Sequence, residues 1–141
     1  MMIKRPLKIL GIDPGKRRVG LAIGNTQFKI ATAYKTVEYK SKDKFVEVLR
    51  AIVKELEIDR IVMGLPRNMD GSEGDSANFS RRIAETIKRE LRIKVEFVDE
   101  RLTTSEAIKQ IHQIGKKSGK SKETIDMLSA ALILQTYFDK T

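Results

Sequence analysis

Apolar residues in this chain recur with two different periods, and the changes of period predict where strands and helices fall. The run Leu7-Lys8-Ile9-Leu10-Gly11-Ile12 is nearly continuous, as in a central strand, and ends at Asp13. Asp13-Pro14-Gly15 turns the chain. A second strand is expected over 19–24, with Asn25-Thr26 as a hairpin turn into a third strand over 27–37. The period then lengthens. Phe45, Val48, Leu49, Ile52, Val53 and Leu56 have the spacing of an amphipathic helix over 42–56. A short buried strand over 60–63 stops at Gly64-Leu65-Pro66, and 67–74 is polar enough to be a loop. Phe79, Ile83, Ile87 and Leu91 place one apolar face on a helix over 75–91, and 94–98 is the next strand.

Thr103-Thr104-Ser105-Glu106 fits a capping box, which predicts a helix from Thr103 to about Ile114, ended by Gly115. The stretch 116–122 is a basic loop, and Ser121 is a suitable N-cap for a final helix. The predicted order is three strands, helix, strand, helix, strand, helix, helix. A meander followed by alternating helices and strands implies an α/β fold, with a mixed sheet and helices on its faces. Residues 1–141 are expected to form one domain, long enough for a real core.

Composition narrows the function. The chain has 28 Lys and Arg against 19 Asp and Glu, a formal net charge of +9, which suits an anionic partner such as nucleic acid. It has no cysteine, so disulfides, thiolate-bound zinc and cysteine nucleophiles are excluded, and a cytoplasmic location is expected. The longest apolar stretch, Leu128 to Leu134, is interrupted by Ser129 and is far short of the roughly 20 residues of a membrane span. Lys4 and Arg5 precede an apolar run that ends at an acid, which reads as a strand rather than a secretory signal. His112, the only histidine, sits late in a predicted helix, where a surface role suits it.

Three acids stand where a fold ordinarily avoids them. Asp13 ends the first strand, Asp99-Glu100 ends the strand Val95–Val98, and Asp126 lies one turn into a helix that is otherwise apolar. Each has an ordinary alternative. Asp before Pro-Gly initiates turns, and acids near a helix N-terminus gain from the macrodipole. For Asp126 that benefit is already supplied by Glu123, nearer the helix start. Alternation sends only one of Asp99 and Glu100 to a given face, and the pattern leaves open which. Acids gathered from strand ends and a facing helix make an all-oxygen site for a hard divalent cation. Lys16-Arg17-Arg18 beside Asp13, and Lys116, Lys117, Lys120 and Lys122 before Asp126, are candidate phosphate contacts. Gly119-Lys120-Ser121 lacks the strand and upstream glycine of a phosphate-binding P-loop.

The strings GIDPGKRRVGLAIG, IVMGLPRNMDGS, VEFVDERLTTSEA and TIDMLSAALIL, in this order between Leu7 and Tyr137, strongly resemble the YqgF (RuvX) family. Its members are described as RuvC-like Holliday junction resolvases and as pre-16S rRNA nucleases. The resemblance implies an RNase H-like fold and a catalytic metal site formed by Asp13, Glu100 and Asp126, holding Mg²⁺ or Mn²⁺. It also implies hydrolysis of phosphodiester bonds in precursor rRNA or branched DNA. Lys16, Arg17, Arg18, Arg67, Asn68, Arg101 and the lysines of 116–122 are the expected nucleic-acid contacts. A monomer or a homodimer is expected; resolving a junction needs two sites and so favours a symmetric dimer. Two rivals stand beside the nuclease: a nucleic-acid-binding factor without catalysis, and a phosphate-transferring ATPase, for which 141 residues scarcely provide a nucleotide-binding subdomain.

Overall fold

The computed structural model describes residues 5–103, 113 and 121–141. The chain runs through β1 (Lys8–Asp13), β2 (Arg18–Asn25), β3 (Thr32–Glu38), α1 (Lys42–Glu55), β4 (Arg60–Leu65), α2 (Asp75–Leu91) and β5 (Lys94–Asp99). A single 3₁₀ turn, Glu100–Thr103, leaves β5, and α3 (Lys122–Asp139) closes the described chain. The helix expected from Thr103 to about Ile114 lies, beyond that turn, outside the described residues, as do Lys116, Lys117 and Lys120.

The sheet order is β3-β2-β1-β4-β5, with β1, β2 and β3 antiparallel and β4 and β5 running parallel to β1. This is the mixed sheet that the order of elements implied. Parallel neighbours need a crossover, and α1 and α2 supply the two. The carboxyl ends of β1, β4 and β5 therefore meet at one edge of the sheet, where open α/β sheets place their ligand groups.

Alternation along the strands sorts the core into two faces. Leu10 and Ile12 of β1, Leu21 of β2, and Ile61 and Met63 of β4 pack with Phe45, Leu49 and Ile52 of α1 and Ile83 and Ile87 of α2. Ile9, Ala22, Val62 and Val98 look the other way, under Ala130, Ile133, Leu134 and Phe138 of α3. The second face is built from small residues. A side-chain carbon at Gly11 would come within 2.8 Å of Leu134 Cβ, and one at Gly20 would overlap the backbone carbonyl of Asp126. The helix therefore rests on the sheet at backbone distance. Its start is fixed by Ser121, whose Oγ accepts the Thr124 N–H at 3.2 Å, the cap expected from sequence.

Two boundaries differ from expectation, each for a local reason. The third strand begins at Thr32 rather than 27, because Asn25 Oδ1 accepts the N–H groups of Gln27 (3.0 Å) and Phe28 (2.9 Å). That Asx turn, with Lys29 at φ 54°, wraps 26–31 away from the ladder. β4 runs on to Leu65 rather than stopping at Met63, since Gly64 and Leu65 still pair with Val98 and Asp99 of β5. Glycine there does not break the strand; it makes room on one face.

Candidate active site

Asp13, the last residue of β1, pairs in register with Gly20 of β2. Alternation from Ile9 through Gly11 turns the Asp13 side chain toward the α3 face. Glu100 arrives from the other side. Beyond the end of β5, the 3₁₀ turn brings its carboxylate over Gly64, where a side-chain carbon would stand 2.6 Å from Glu100 Oε1 and 2.7 Å from Ile133 Cδ1. Only glycine at 64 leaves space for that carboxylate beneath α3. Asp13 and Glu100 are hydrogen-bonded to each other in this space.

Burial pushes the Asp13 carboxyl well above the ordinary carboxylate range, and the neighbouring Glu100 and Asp126 push it further. Burial raises Glu100 too, against the opposing effect of its hydrogen bond with Asp13. A half-buried, hydrogen-bonded carboxyl pair at a strand end is an all-oxygen donor set, and a divalent cation would relieve the mutual repulsion of the two charges. The donor set fits the expected metal.

Asp126, in the first turn of α3, comes to the same end of the sheet because Gly20 lets the helix backbone down beside Asp13. Its carboxylate acts on Asp13 through space, yet it is bonded elsewhere: Arg18 Nε donates to Asp126 Oδ2 at 2.6 Å. Among the described residues, no group of three acids is gathered tightly enough to hold an ion as it stands. The expected triad is present as a touching pair with a third acid held by an arginine.

The adjacent Asp99 takes the other side of the strand end. Its carboxylate accepts from Arg101 Nη2 at 2.7 Å and from the Arg101 backbone N–H at 2.9 Å, and Arg67 stands 3.9 Å away. These bonds, the Arg101 side chain foremost, hold Asp99 below the usual carboxylate range. The choice that alternation left open is thus settled in position: Glu100 joins Asp13, and Asp99 braces the loop.

The candidate nucleic-acid contacts divide in the same way. Lys16, Arg17 and Arg18 line one pocket of about 480 Å³ together with Thr36, Glu38, Tyr39 and Glu123, beside the acids. Lys122 is exposed at the start of α3. Arg67, Asn68 and Arg101 are instead spent within their own loop. Arg67 lies 3.4 Å from Glu73, which Arg81 grips through two nitrogens. Asn68 Nδ2 donates to Ser72 Oγ at 3.0 Å. Gly20, Gly64, Tyr39 and Thr36 went unnoticed in sequence; the only available signal was that Gly20 and Gly64 interrupt otherwise apolar strands. A second, apolar groove, lined by Lys8, Ile23, Phe28, Ile30, Leu56 and Ile58, lies at the opposite end of β1 from the acids.

A five-stranded sheet of this order, with acids converging where β1 and β5 end beneath the last helix, defines an RNase H-like fold. The fold is shared with Thermus thermophilus RuvC in complex with a Holliday junction substrate, at a TM-score of 0.62 and 13% identity, covering 95% of this chain and 96% of that one. Fowlpox virus resolvase in complex with Holliday junction DNA gives a TM-score of 0.54 at 14% identity, covering 95% and 98%. Residues 7–140 match the family RuvX, described as "Holliday junction resolvase", and the chain belongs to that family. Among its relatives, a protein of Clostridioides difficile (strain 630) is 39% identical over 132 residues, 94% of each chain. One of Caldanaerobacter subterraneus subsp. tengcongensis is 38% identical over 134 residues, 94% of this chain and 96% of the relative. Both carry the name "Putative pre-16S rRNA nuclease".

Proposed function

We propose that this chain cleaves phosphodiester bonds with the help of a divalent cation held by Asp13, Glu100 and Asp126. The observation that carries the reading is the half-buried Asp13–Glu100 pair, two acids hydrogen-bonded to each other where the parallel strands end. Mg²⁺ and Mn²⁺ are the ions whose preference for oxygen ligands matches this donor set. When bound, such an ion neutralises phosphate charge and polarises the phosphoryl oxygen.

The chain's own residues supply the rest. Asp13 and Glu100 are fixed by the strand end and the 3₁₀ turn, and α3 and Ile133 keep bulk water from one side of them. Lys16 and Arg17, exposed on the turn between β1 and β2, hold the flanking phosphates and orient the strand across the acids. Few aromatic residues are available for stacking on bases, so backbone and shape recognition is the natural mode.

The substrate we favour is the 5′ end of precursor 16S rRNA, cut in the cytoplasm by a single-domain protein acting as monomer or homodimer, on the strength of the relatives' name. Branched DNA is the second reading, favoured by the fold shared with junction-bound resolvases. The test incubates the pure protein with Mn²⁺ or Mg²⁺ and labelled precursor rRNA ends, single strands, duplexes and a four-way junction, with Asp126→Asn alongside. Metal-dependent cutting lost in the variant supports the nuclease, and the preferred member of the panel names the substrate. Tight binding retained in EDTA with no cutting would overturn it in favour of a non-catalytic binding factor.

A further inference from the structure

Arg18 touches two parts of the site at once. It opens β2 two residues before Gly20 and so shares the face on which α3 rests. Its Nε–H donates to Asp126 Oδ2 at 2.6 Å across 108 residues of chain. Both side chains are largely covered, with 31% of Arg18 and 20% of Asp126 exposed. The same arginine also lines the basic pocket beside Lys16, Arg17, Thr36 and Tyr39. On one side, then, the guanidinium meets an acid of the cation site. On the other it borders open space lined by Lys16 and Arg17, with Glu38 and Glu123 also on its wall, where the two cations offer contacts to a phosphate and a guanidinium has room to turn.

A guanidinium and a divalent cation cannot both take Asp126 as their close partner. Each neutralises the same carboxylate, and their own charges repel. In this structure Asp126 is bonded to Arg18, and the three acids are not gathered for an ion among the described residues.

We propose that Arg18 is an exchangeable counter-ion: it holds Asp126 until a divalent cation claims that carboxylate, and then turns into the basic pocket to bind a phosphate of the nucleic acid. This inference rests on the reading of Asp13, Glu100 and Asp126 as the cation site. It makes metal and nucleic acid cooperative. Loading the cation frees a phosphate ligand, and a bound phosphate keeps Arg18 off Asp126, so each raises the affinity for the other by the same factor. The competing role is a static clamp, in which the pair simply ties β2 to α3.

The deciding experiment measures Mn²⁺ binding calorimetrically, without nucleic acid, to the wild-type chain and to Arg18→Gln. Exchange predicts that the variant binds Mn²⁺ about tenfold more tightly, because no internal cation has to leave. A second measurement needs no substitution. The Arg18 Nε–H resonance, shielded from solvent exchange by its short bond, should lose that protection as Mg²⁺ is added to the wild-type protein. That measurement decides alone if Arg18→Gln fails to fold. Equal or weaker Mn²⁺ binding by the variant, or an Arg18 resonance unmoved at saturating Mg²⁺, would overturn the exchange and leave the cation site standing. No Mn²⁺ bound by either protein would overturn both.

Discussion

The peptide bond between Asp99 and Glu100 separates two regions built from the same residue types to opposite ends. On the outer side, Asp99, Glu73, Arg67, Arg81 and Arg101 match each acid with a guanidinium, and the carboxylates of Asp99 and Glu73 are held below their usual range by those partners. On the inner side, Glu100 and Asp13 meet in a buried space where burial raises both. An acid whose charge is already balanced stabilises its surroundings and has little left to offer a ligand. Two acids held against each other in half-buried space are poised to accept a cation between them. The contrast separates a structural brace from the proposed cation site one residue away.

Substitutions test this division, beginning with the inner side. Asp13→Asn and Glu100→Gln should each lower the rate of cleavage by roughly 10²–10³-fold, since each removes charge from the reacting centre. Single-turnover assays on the preferred substrate read this directly. Both variants should melt at or above the wild-type temperature, because an amide can still hydrogen-bond the remaining acid while one half-buried charge is removed. A fall in Tm would show that the pair stabilises the fold and would erase the contrast.

Gly20→Ala comes next. The added carbon overlaps the Asp126 carbonyl and must lift the start of α3, at about 1–3 kcal/mol for overpacking. Lower Tm and lower turnover should appear together, whereas an intact Tm with full turnover would mean that the helix does not sit where described.

Asp99→Asn should do the reverse of Glu100→Gln, costing a few degrees of Tm through the loosened Arg101 and Arg67 while cleavage persists. Loss of cleavage equal to that of Glu100→Gln would place Asp99 in the site. The smallest effect belongs to Asp59, far from both regions, whose bonds with Arg5 hold its pKa down. A depressed acid contributes stability above its unfolded pKa and loses it as pH falls through its folded pKa. Wild-type Tm should therefore drop slightly more than that of Asp59→Asn on acidification from about pH 5 to 2.

Much of the scaffold was legible in the sequence because local chemistry determines it. Period fixed the strands and helices, Ser121 announced the start of α3, and the three acids singled out in sequence come to the same end of the sheet. The misread start of β3 came from a side chain, Asn25, that bonds to backbone and outcompetes the ladder. What stayed hidden is non-local. Nothing near residue 18 announces Asp126, and nothing near 67 says that Glu73 and Asp99 will hold that arginine in place. The choice between Asp99 and Glu100 required the exit from β5, where the 3₁₀ turn redirects the chain. The partners of Arg67, Asn68 and Arg101 within the loop were hidden, because a polar side chain in a loop is visible in sequence while what it bonds to is not.

The glycine floor beneath α3 has a consequence for how this protein tolerates change. Because main-chain atoms of Gly20 and Asp126 are in contact, the height of α3 above the sheet is set by atoms that every residue possesses. Leucine, isoleucine and valine on the opposite face do not touch that contact directly. A transplanted β1–β2 hairpin with its facing helix should therefore keep Asp13 and Asp126 in place, while Glu100 would still have to arrive from the exit of β5.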